Sequence, residues 1–223
     1  MLNELPKRAF FRFEFPIHYI EKTPAADGSL RKWKPEYLVP PLVELEDEPA
    51  DADVYAAWNE DGFYVAFDIS QRRSAPHCDA NHWWKHDGLR VCIDTRDARD
   101  IKRATRFCHL FYFLPSGGGA NRRMPVAGIH RMSRAKEPPP AVDVGKIKVG
   151  VQIDRTGYSL EAAIPAACLN GWDPLEHPRI GFFYKIKDLV LGDQHLSADD
   201  ELGWNVDPST WATAVLERRG RKQ

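Results

Sequence analysis

The residue types best suited to chemistry are concentrated in residues 77–94, which read HCDANHWWKHDGLRVCID. Two adjacent indoles, Trp83 and Trp84, stand among histidines and are soon followed by Asp87. The stretch before residue 89 is too polar for a core and too aromatic for an ordinary solvent-facing loop. A large aromatic surface beside charged groups, carried by a loop next to a strand, predicts a recognition surface. A further indole, Trp204, ends an acidic loop that begins at Gly192.

The same segment also contains potential metal ligands. His77, His82 and His86 are spaced by five and four residues, with Cys78 and Asp79 beside them. Imidazole and thiolate are common ligands of zinc and copper. This spacing suits a metal site only if the loop is partly helical, and the sequence has neither an HExxH motif nor a CxxC pair. A metal site and a solvated polar loop are therefore both open interpretations.

Carboxylates at or near strand positions give a catalytic alternative. Two of them could act as acid and base on a glycosidic bond if they were held roughly 5 to 9 Å apart. Salt bridges at strand edges, or a calcium site built from oxygen ligands, would use the same residues. Serine-nucleophile and phosphate-loop chemistry have no motif in this sequence. The carboxylates are Asp68, Asp87, Asp94, Glu161 and Asp188.

The elements that must position these residues are strands. Residues 89–94 alternate between apolar and polar side chains, which is typical of a half-buried strand. Residues 54–58 and 63–69 are β-rich runs joined by the turn Asn59-Glu60-Asp61-Gly62, and residues 147–153 and 158–164 form a second hairpin pattern. With the other β-rich runs this gives about nine strands and almost no helical periodicity. The sequence therefore predicts an all-β, single-domain antiparallel β-sandwich of the jelly-roll or immunoglobulin-like kind.

Composition agrees with a globular domain and limits its partners. The chain has 223 residues, a formal net charge of -1 and 43% hydrophobic residues. We expect one domain over 1–223, with an opening strand and irregular link at 1–50, the core at 51–217 and a basic tail at 218–223. Neither a nucleic-acid nor a membrane partner is predicted. The N-terminus lacks an apolar signal region, so the sequence as written predicts a cytoplasmic protein, or an extracellular or periplasmic one if a leader was removed.

Four stretches in order resemble the family 9 carbohydrate-binding modules and the wider DOMON-like superfamily of β-sandwiches. They read DVYAAWNEDGFYVAFDI at 53–69, WWKHDGLRVCID at 83–94, DRTGYSLEAAIP at 154–165 and DPSTWATAVL at 207–216. The resemblance covers most of the chain from residue 51 onward.

The resemblance implies a domain that binds the ends of glucan or xylan chains between two tryptophans, without catalysis. The first tryptophan would be Trp83 or Trp84 and the second Trp204. Polar positions near the indoles would correspond to Asp87, Arg90 and Asn205. The resemblance also implies that calcium braces a loop.

We therefore predict a non-catalytic domain whose partner is an oligosaccharide or polysaccharide, with an indole stacking on the apolar face of a sugar ring. The first alternative is a haem- or metal-binding sandwich for electron transfer or sensing, because some DOMON-like relatives bind haem. The donors available for that role are Met124, Met132, His109 and His130. The second alternative is a glycoside-active enzyme. The oligomeric state does not follow from the sequence.

Overall fold

The computed structural model describes residues 6–218 and is all-β, as predicted. Its eleven strands exceed the predicted nine by two. They are β1 Glu14–Tyr19, β2 Ala52–Asn59, β3 Gly62–Ile69, β4 Gly88–Asp94, β5 Cys108–Gly118, β6 Met124–His130, β7 Lys148–Ile153, β8 Tyr158–Pro165, β9 Arg179–Asp188, β10 Gly192–His195 and β11 Ala212–Glu217.

The helical elements among the described residues are all short 3-10 turns. None of them is long and apolar enough to cross a membrane. They are Lys7–Phe10, Pro35–Tyr37, Leu42–Glu46, Ala80–His82, Val144–Lys146, Ala166–Cys168, Asp200–Leu202 and Pro208–Thr210.

The strands are hydrogen-bonded in one continuous order, β6-β5-β4-β9-β11-β1-β2-β3-β8-β7, and β10 pairs with the free half of β9. This long sheet folds over itself, so that β3 faces β9 across the core. The rings of Phe63 and Phe182 lie 5.6 Å apart, and those of Phe67 and Tyr184 lie 6.4 Å apart. The two layers therefore form the predicted sandwich, and the alternating apolar residues of each layer fill the space between them.

Strand β1 is the exception to the predicted antiparallel pairing. It runs parallel to β11 along Glu14 to His18 and parallel to β2 at His18 and Tyr19, so it links the two layers. Pro16 is a residue type usually confined to edge positions, whereas β1 is an interior strand. The proline is accommodated because pairing with β2 begins only at His18, which leaves one side of Pro16 without a ladder partner.

Other local predictions need correction. Residues 42–46, within the predicted irregular link, form a 3-10 turn, and the predicted acidic loop from Gly192 contains β10. The run of glycines after Pro115 does not end β5, which continues to Gly118 through a bulge and pairs with β6. Gly62, in the predicted hairpin turn, has a φ of +158°, and an added Cβ there would overlap the carbonyl oxygen of Ile164. Most of the predicted basic tail, residues 219–223, lies outside the described residues.

A buried glutamate fixes the irregular link to the sheet. Glu161 on β8 is 3% exposed and accepts four N–H donors from the 27–33 segment. One oxygen accepts from the backbone of Asp27 at 2.8 Å and Gly28 at 3.1 Å. The other accepts from the backbone of Leu30 at 3.2 Å and the Trp33 indole at 2.9 Å. This carboxylate is saturated by donors and therefore anchors the link.

Candidate binding cavity

A cavity of about 460 Å³ lies on the face of β4, β5, β6 and β9 that points away from the core. Strand pairing explains which residues meet there. Arg90 on β4 is opposite Lys185 on β9, and Leu110 on β5 is opposite His130 on β6. Since Phe182 and Tyr184 face β3, the pleat directs Lys185 to the other side. The lining residues are Trp83, Trp84, Arg90, Leu110, His130, Lys185, Asp200, Trp204 and Asn205.

The loop before β4 contributes both adjacent indoles, in different environments. Trp83 is half-buried and stacks on Tyr112 of β5, with 4.5 Å between ring centroids and 8° between planes. The Arg90 guanidinium lies 5.4 Å from the Trp83 ring. Trp84 is 51% exposed and meets Trp83 edge to face at 6.0 Å. Trp83 is thus fixed to the sheet, and Trp84 leaves indole surface available to a ligand.

The loop before β11 contributes Trp204, which is held more tightly. Its indole is 6% exposed and stacks on Phe183 of β9, with ring centroids 5.0 Å apart. Its Nε1 donates to the Asp200 carboxylate at 2.7 Å. Asn205 is exposed at the cavity margin. The two indole walls therefore differ, because Trp204 is locked against the sheet whereas Trp84 is open to solvent.

Arg90 forms a buried cationic part of the cavity lining. Its guanidinium donates to the backbone carbonyls of Gly88, at 2.7 Å, and of Trp83. It makes no ion pair with any residue between 6 and 218, and it is 2% exposed. Burial lowers the pKa of Arg90 to about 10, against attraction from Asp193 and Asp200. Arg90 is therefore a charged donor in a region of low polarity, where hydrogen bonds to a ligand are strengthened.

Beside Arg90, the charge of Lys185 is neutralised by two carboxylates. Its ammonium lies 2.9 Å from Asp193 and 2.5 Å from Asp200. Hydrogen bonds from His195 first, and from Lys185 and Trp204, lower the pKa of Asp200 well below its usual range, against the effect of burial. Burial would raise the pKa of Asp193, but Lys185 reverses this and lowers it. Asp200 therefore stays charged and accepts hydrogen bonds at the cavity wall.

The cluster around Lys185 is where the described residues bring three metal-ligand atoms together. Ligand atoms of Asp193, His195 and Asp200 all lie within 4.8 Å of one another. The Lys185 ammonium already occupies the region between the two carboxylates. A cation such as calcium would meet this charge at close range, so the cluster does not fit a metal site.

Asp87 was predicted as a polar ligand-binding residue, and the structure corrects this. It is 0% exposed and does not line the cavity. Its carboxylate pairs with Arg72 at 2.7 Å and accepts the backbone N–H groups of His77 at 2.6 Å and Leu189 at 2.7 Å. Arg72 pairs also with Asp188, at 2.5 Å. Asp87 therefore holds the 77–87 loop in place from inside the fold.

The histidines considered for metal binding do not converge. His77 and His86 meet ring to ring at 4.7 Å, while the exposed His82 pairs with Asp79 at 2.8 Å. Within residues 6–218, this loop has no group of three ligand atoms close enough for a metal ion. The alternative of a metal site at these three histidines is therefore not supported by their positions.

The donors considered for haem are also dispersed. His109 donates from Nδ1 to the Ile93 carbonyl at 3.4 Å and accepts the Asn170 N–H at Nε2, at 2.9 Å, so both ring nitrogens are engaged. Met132 is buried in the core, and Met124 is 61% exposed. Of these four donors, His130 alone lines the cavity, and burial lowers its pKa.

Four lining residues were not predicted as part of this site: Leu110, His130, Lys185 and Asp200. Strand register places Lys185 opposite Arg90 and His130 opposite Leu110, and a single sequence does not determine register. One available signal was alternation, since Lys185 stands between the apolar Tyr184 and Ile186 in a β-rich run and should face away from them. The structure brings Trp83, Trp84, Arg90, Trp204 and Asn205 together at this cavity.

The architecture is thus a β-sandwich with a cavity on the outer face of one layer. Two solved structures of a family 9 carbohydrate-binding module from Caldicellulosiruptor kristjanssonii are similar to it. The complex with cellotriose has a TM-score of 0.60 and 14% identity, covering 93% of this chain and 95% of that one. The complex with glucose has a TM-score of 0.59 and 14% identity, covering 94% and 98%.

A proposed carbohydrate-binding protein from Bacteroides uniformis is also similar, with a TM-score of 0.55 and 10% identity, covering 93% of this chain and 100% of that chain. No family model matches the sequence, and the curated proteins include no match. The chain therefore has the fold of the family 9 carbohydrate-binding modules. At these identities the similarity concerns the fold.

Proposed function

We propose that this domain binds carbohydrate in the cavity without chemically converting it. The observation that carries the proposal is the joining of two indoles, from separate loops, with a buried guanidinium in one cavity. The apolar C–H face of a sugar ring would pack on Trp84, and Trp204 would contribute a second aromatic boundary. Arg90, Asn205 and Asp200 would hydrogen-bond the hydroxyl groups, which supply the polar recognition such sites need.

The carboxylates favour binding over hydrolysis. Glycoside hydrolysis by the common mechanisms needs two carboxyl groups on either side of the bond. Among the lining residues, Asp200 is the single carboxylate, and it is engaged by Lys185, His195 and Trp204. Asp87 and Glu161, considered earlier as catalytic groups, are buried and saturated by donors within the fold. Among the described residues, the cavity lining therefore lacks the second carboxyl group.

For the ligand, we propose a glucan or xylan type of chain. Support comes from the similar structures, which hold cellotriose and glucose. A cavity of about 460 Å³ has room for one or two sugar rings, so the domain would bind a short part of the chain. One exposed indole and few hydrogen bonds would give weak affinity, because ordering the ligand offsets much of the contact energy.

The test is a titration of the protein with cello- and xylo-oligosaccharides, followed by calorimetry and tryptophan fluorescence. Trp84→Ala should weaken binding roughly tenfold or more, since stacking contacts are worth about 0.5–1.5 kcal/mol beyond the buried area. Asn205→Ala provides a second lining variant at an exposed position, where folding should be unaffected. Leu175→Ala is a matched control, because Leu175 is 67% exposed and does not line the cavity.

Trp204→Ala needs a folding control, because Trp204 is packed on Phe183. Circular dichroism and thermal unfolding would accompany its titration. If neutral oligosaccharides bind with equal affinity to the wild type, Trp84→Ala and Trp204→Ala, the cavity is not the sugar site. If reducing sugar is released at a rate that depends on Asp200, the domain is an enzyme and the proposal is wrong.

A further inference from the structure

A groove separate from the cavity is rich in unpaired cations. Two clefts of about 380 and 550 Å³ share Lys102, Leu202 and Asp207, so they form one continuous depression. Together they are lined by five cationic side chains and one carboxylate, in a chain whose net charge is -1. This cationic groove comprises Arg12, Arg99, Lys102, Arg103 and Arg134 with Asp207.

Most of these cations have no counter-ion in the fold. Arg12, Lys102, Arg103 and Arg134 are exposed, and within residues 6–218 none of the four forms an ion pair. The one carboxylate, Asp207, directs an oxygen to the backbone and hydroxyl of Ser209, at 2.9 and 2.6 Å. Several positive charges in a concave surface produce a strong positive potential there, and this potential attracts anions.

The pKa of Arg99 reflects repulsion between Arg99 and neighbouring cations. Its nearest counter-ion, Asp97, is 3.9 Å away and also lies 3.8 Å from Arg179. Burial lowers the pKa of Arg99, and repulsion from Arg12 and Arg179 lowers it further against the attraction of Asp97. The fold therefore keeps several positive charges together at a cost that an anionic partner would remove.

The groove and the cavity share a wall. The segment 200–207 presents Asp200, Trp204 and Asn205 to the cavity, and Leu202 and Val206 to the groove. The groove also has aromatic surface of its own. Phe10 and Phe11, which line it, are 74% and 66% exposed. Exposed aromatic rings beside cations suit sugar rings that carry acidic groups, since the ring packs on the aromatic side chain and the acid pairs with the cation.

We propose that the cationic groove binds an anionic polysaccharide, one bearing uronate or sulfate groups. The inference rests on the proposed carbohydrate-binding function only for the class of polymer, because the shared wall places a second sugar-binding surface next to the first. The groove recognises acid groups through unpaired guanidinium and ammonium groups, whereas the cavity recognises hydroxyl groups. An anionic chain would thus bind with a strong salt dependence that neutral oligosaccharides in the cavity lack.

The experiment measures binding of the full chain to polygalacturonate, dextran sulfate and neutral dextran, at 50 and at 200 mM salt. The two acidic polymers distinguish carboxylate from sulfate recognition, and neutral dextran controls for backbone contacts. The variant Lys102→Ala/Arg103→Ala/Arg134→Ala removes three exposed charges from the groove. Each lost contact should weaken binding about twofold to fivefold, so the triple variant should lose roughly tenfold or more for at least one acidic polymer.

The matched control removes the same charge elsewhere. Lys22→Ala/Lys32→Ala/Lys34→Ala alters exposed lysines of a different surface, which shares no residue with the groove. It should change binding of the acidic polymers less than twofold. Equal losses in the two triple variants would mean that only net charge matters, and would overturn the proposed site. Equal binding of neutral dextran and both acidic polymers would overturn it as well.

Two further arms separate the outcomes. The first arm uses single-stranded DNA. If it binds more tightly than both acidic polysaccharides, and its binding depends on the groove residues, the groove is a nucleic-acid site and the proposal is overturned. Binding of cello-oligosaccharides, which tests the cavity, should be unchanged in the groove variant. If the wild type does not bind cello-oligosaccharides but still binds acidic polymers at the groove, the cavity proposal alone is refuted.

Discussion

The buried His109 should make the stability of this domain depend on pH in a specific range. His109 is 1% exposed, and its ring is fixed as a neutral tautomer because Nε2 accepts the Asn170 N–H at 2.9 Å. Protonation would place a second hydrogen against that donor. Burial lowers the pKa of His109 from 6.5 to about 4.

The direction in which stability changes with pH follows from which state takes up the proton. The unfolded chain binds it near pH 6.5, whereas the folded chain does so only near pH 4. The stability that neutral His109 contributes is therefore complete above about pH 6.5 and is lost as the pH falls to 4. At about 1.4 kcal/mol for each tenfold change in proton affinity, the gap amounts to about 3 kcal/mol of unfolding free energy.

The assay is urea denaturation at pH 7, 6, 5 and 4.5, with the wild type, His109→Gln and His82→Gln compared. His109→Gln should be less stable at pH 7 and should lose about 2 to 3 kcal/mol less than the wild type between pH 7 and 4.5. His82→Gln is the control, because His82 is exposed and its variant loses only a surface pair with Asp79, so it should stay much closer to the wild-type curve than His109→Gln does. Parallel curves for the wild type and His109→Gln would refute the reasoning about His109.

Three further predictions concern the groups that hold the fold. Glu161→Gln should lower the unfolding free energy, measured by urea denaturation, by about 2–4 kcal/mol, because the amide replaces one of the two accepting oxygens with an NH₂ donor. Equal stability would contradict the anchoring role. Arg72→Met should cost about 3–5 kcal/mol and loosen the 77–87 loop in hydrogen exchange, since two buried carboxylates lose their cation; unchanged exchange in that loop would count against it. Gly62→Ala should lower the melting temperature by more than 5 °C, because its Cβ overlaps a backbone carbonyl, while Gly145→Ala, near only an Asp143 oxygen, should leave it within 2 °C.

Local patterns in the sequence predicted much of the sandwich. The alternation at 89–94 and the turn at 59–62 correspond to β4 and to the β2–β3 hairpin. Both depend on neighbours in the chain, where period and turn chemistry are readable. The parallel pairing of β1 with β11 joins the two ends of the chain, and no local pattern encodes a partner about 200 residues away.

The site was harder to predict than the fold for the same reason. Asp87 looks like a ligand-binding residue next to two indoles, and its partners Arg72 and Leu189 are 15 and 102 residues away. Only folding shows that its charge is used internally. Trp204 was predicted as the second ligand-binding tryptophan, and Phe183 covers one face of it. Residue type indicated the chemistry of the cavity, whereas burial decided which groups are free to act.

Strand β9 sets the geometry of both cavity walls. The 77–87 loop is tied to its C-terminal end through Asp87, which accepts the Leu189 N–H at 2.7 Å. The 196–206 loop is tied to the middle of β9 through Asp200, 2.5 Å from Lys185. Because both loops are bonded to one strand, these walls are already ordered before a ligand binds, which reduces the entropic cost of binding. Trp84 is the exception, since ring contacts are its only described interactions. The entropic cost of binding should therefore fall mainly on Trp84, whose orientation a bound ring would fix.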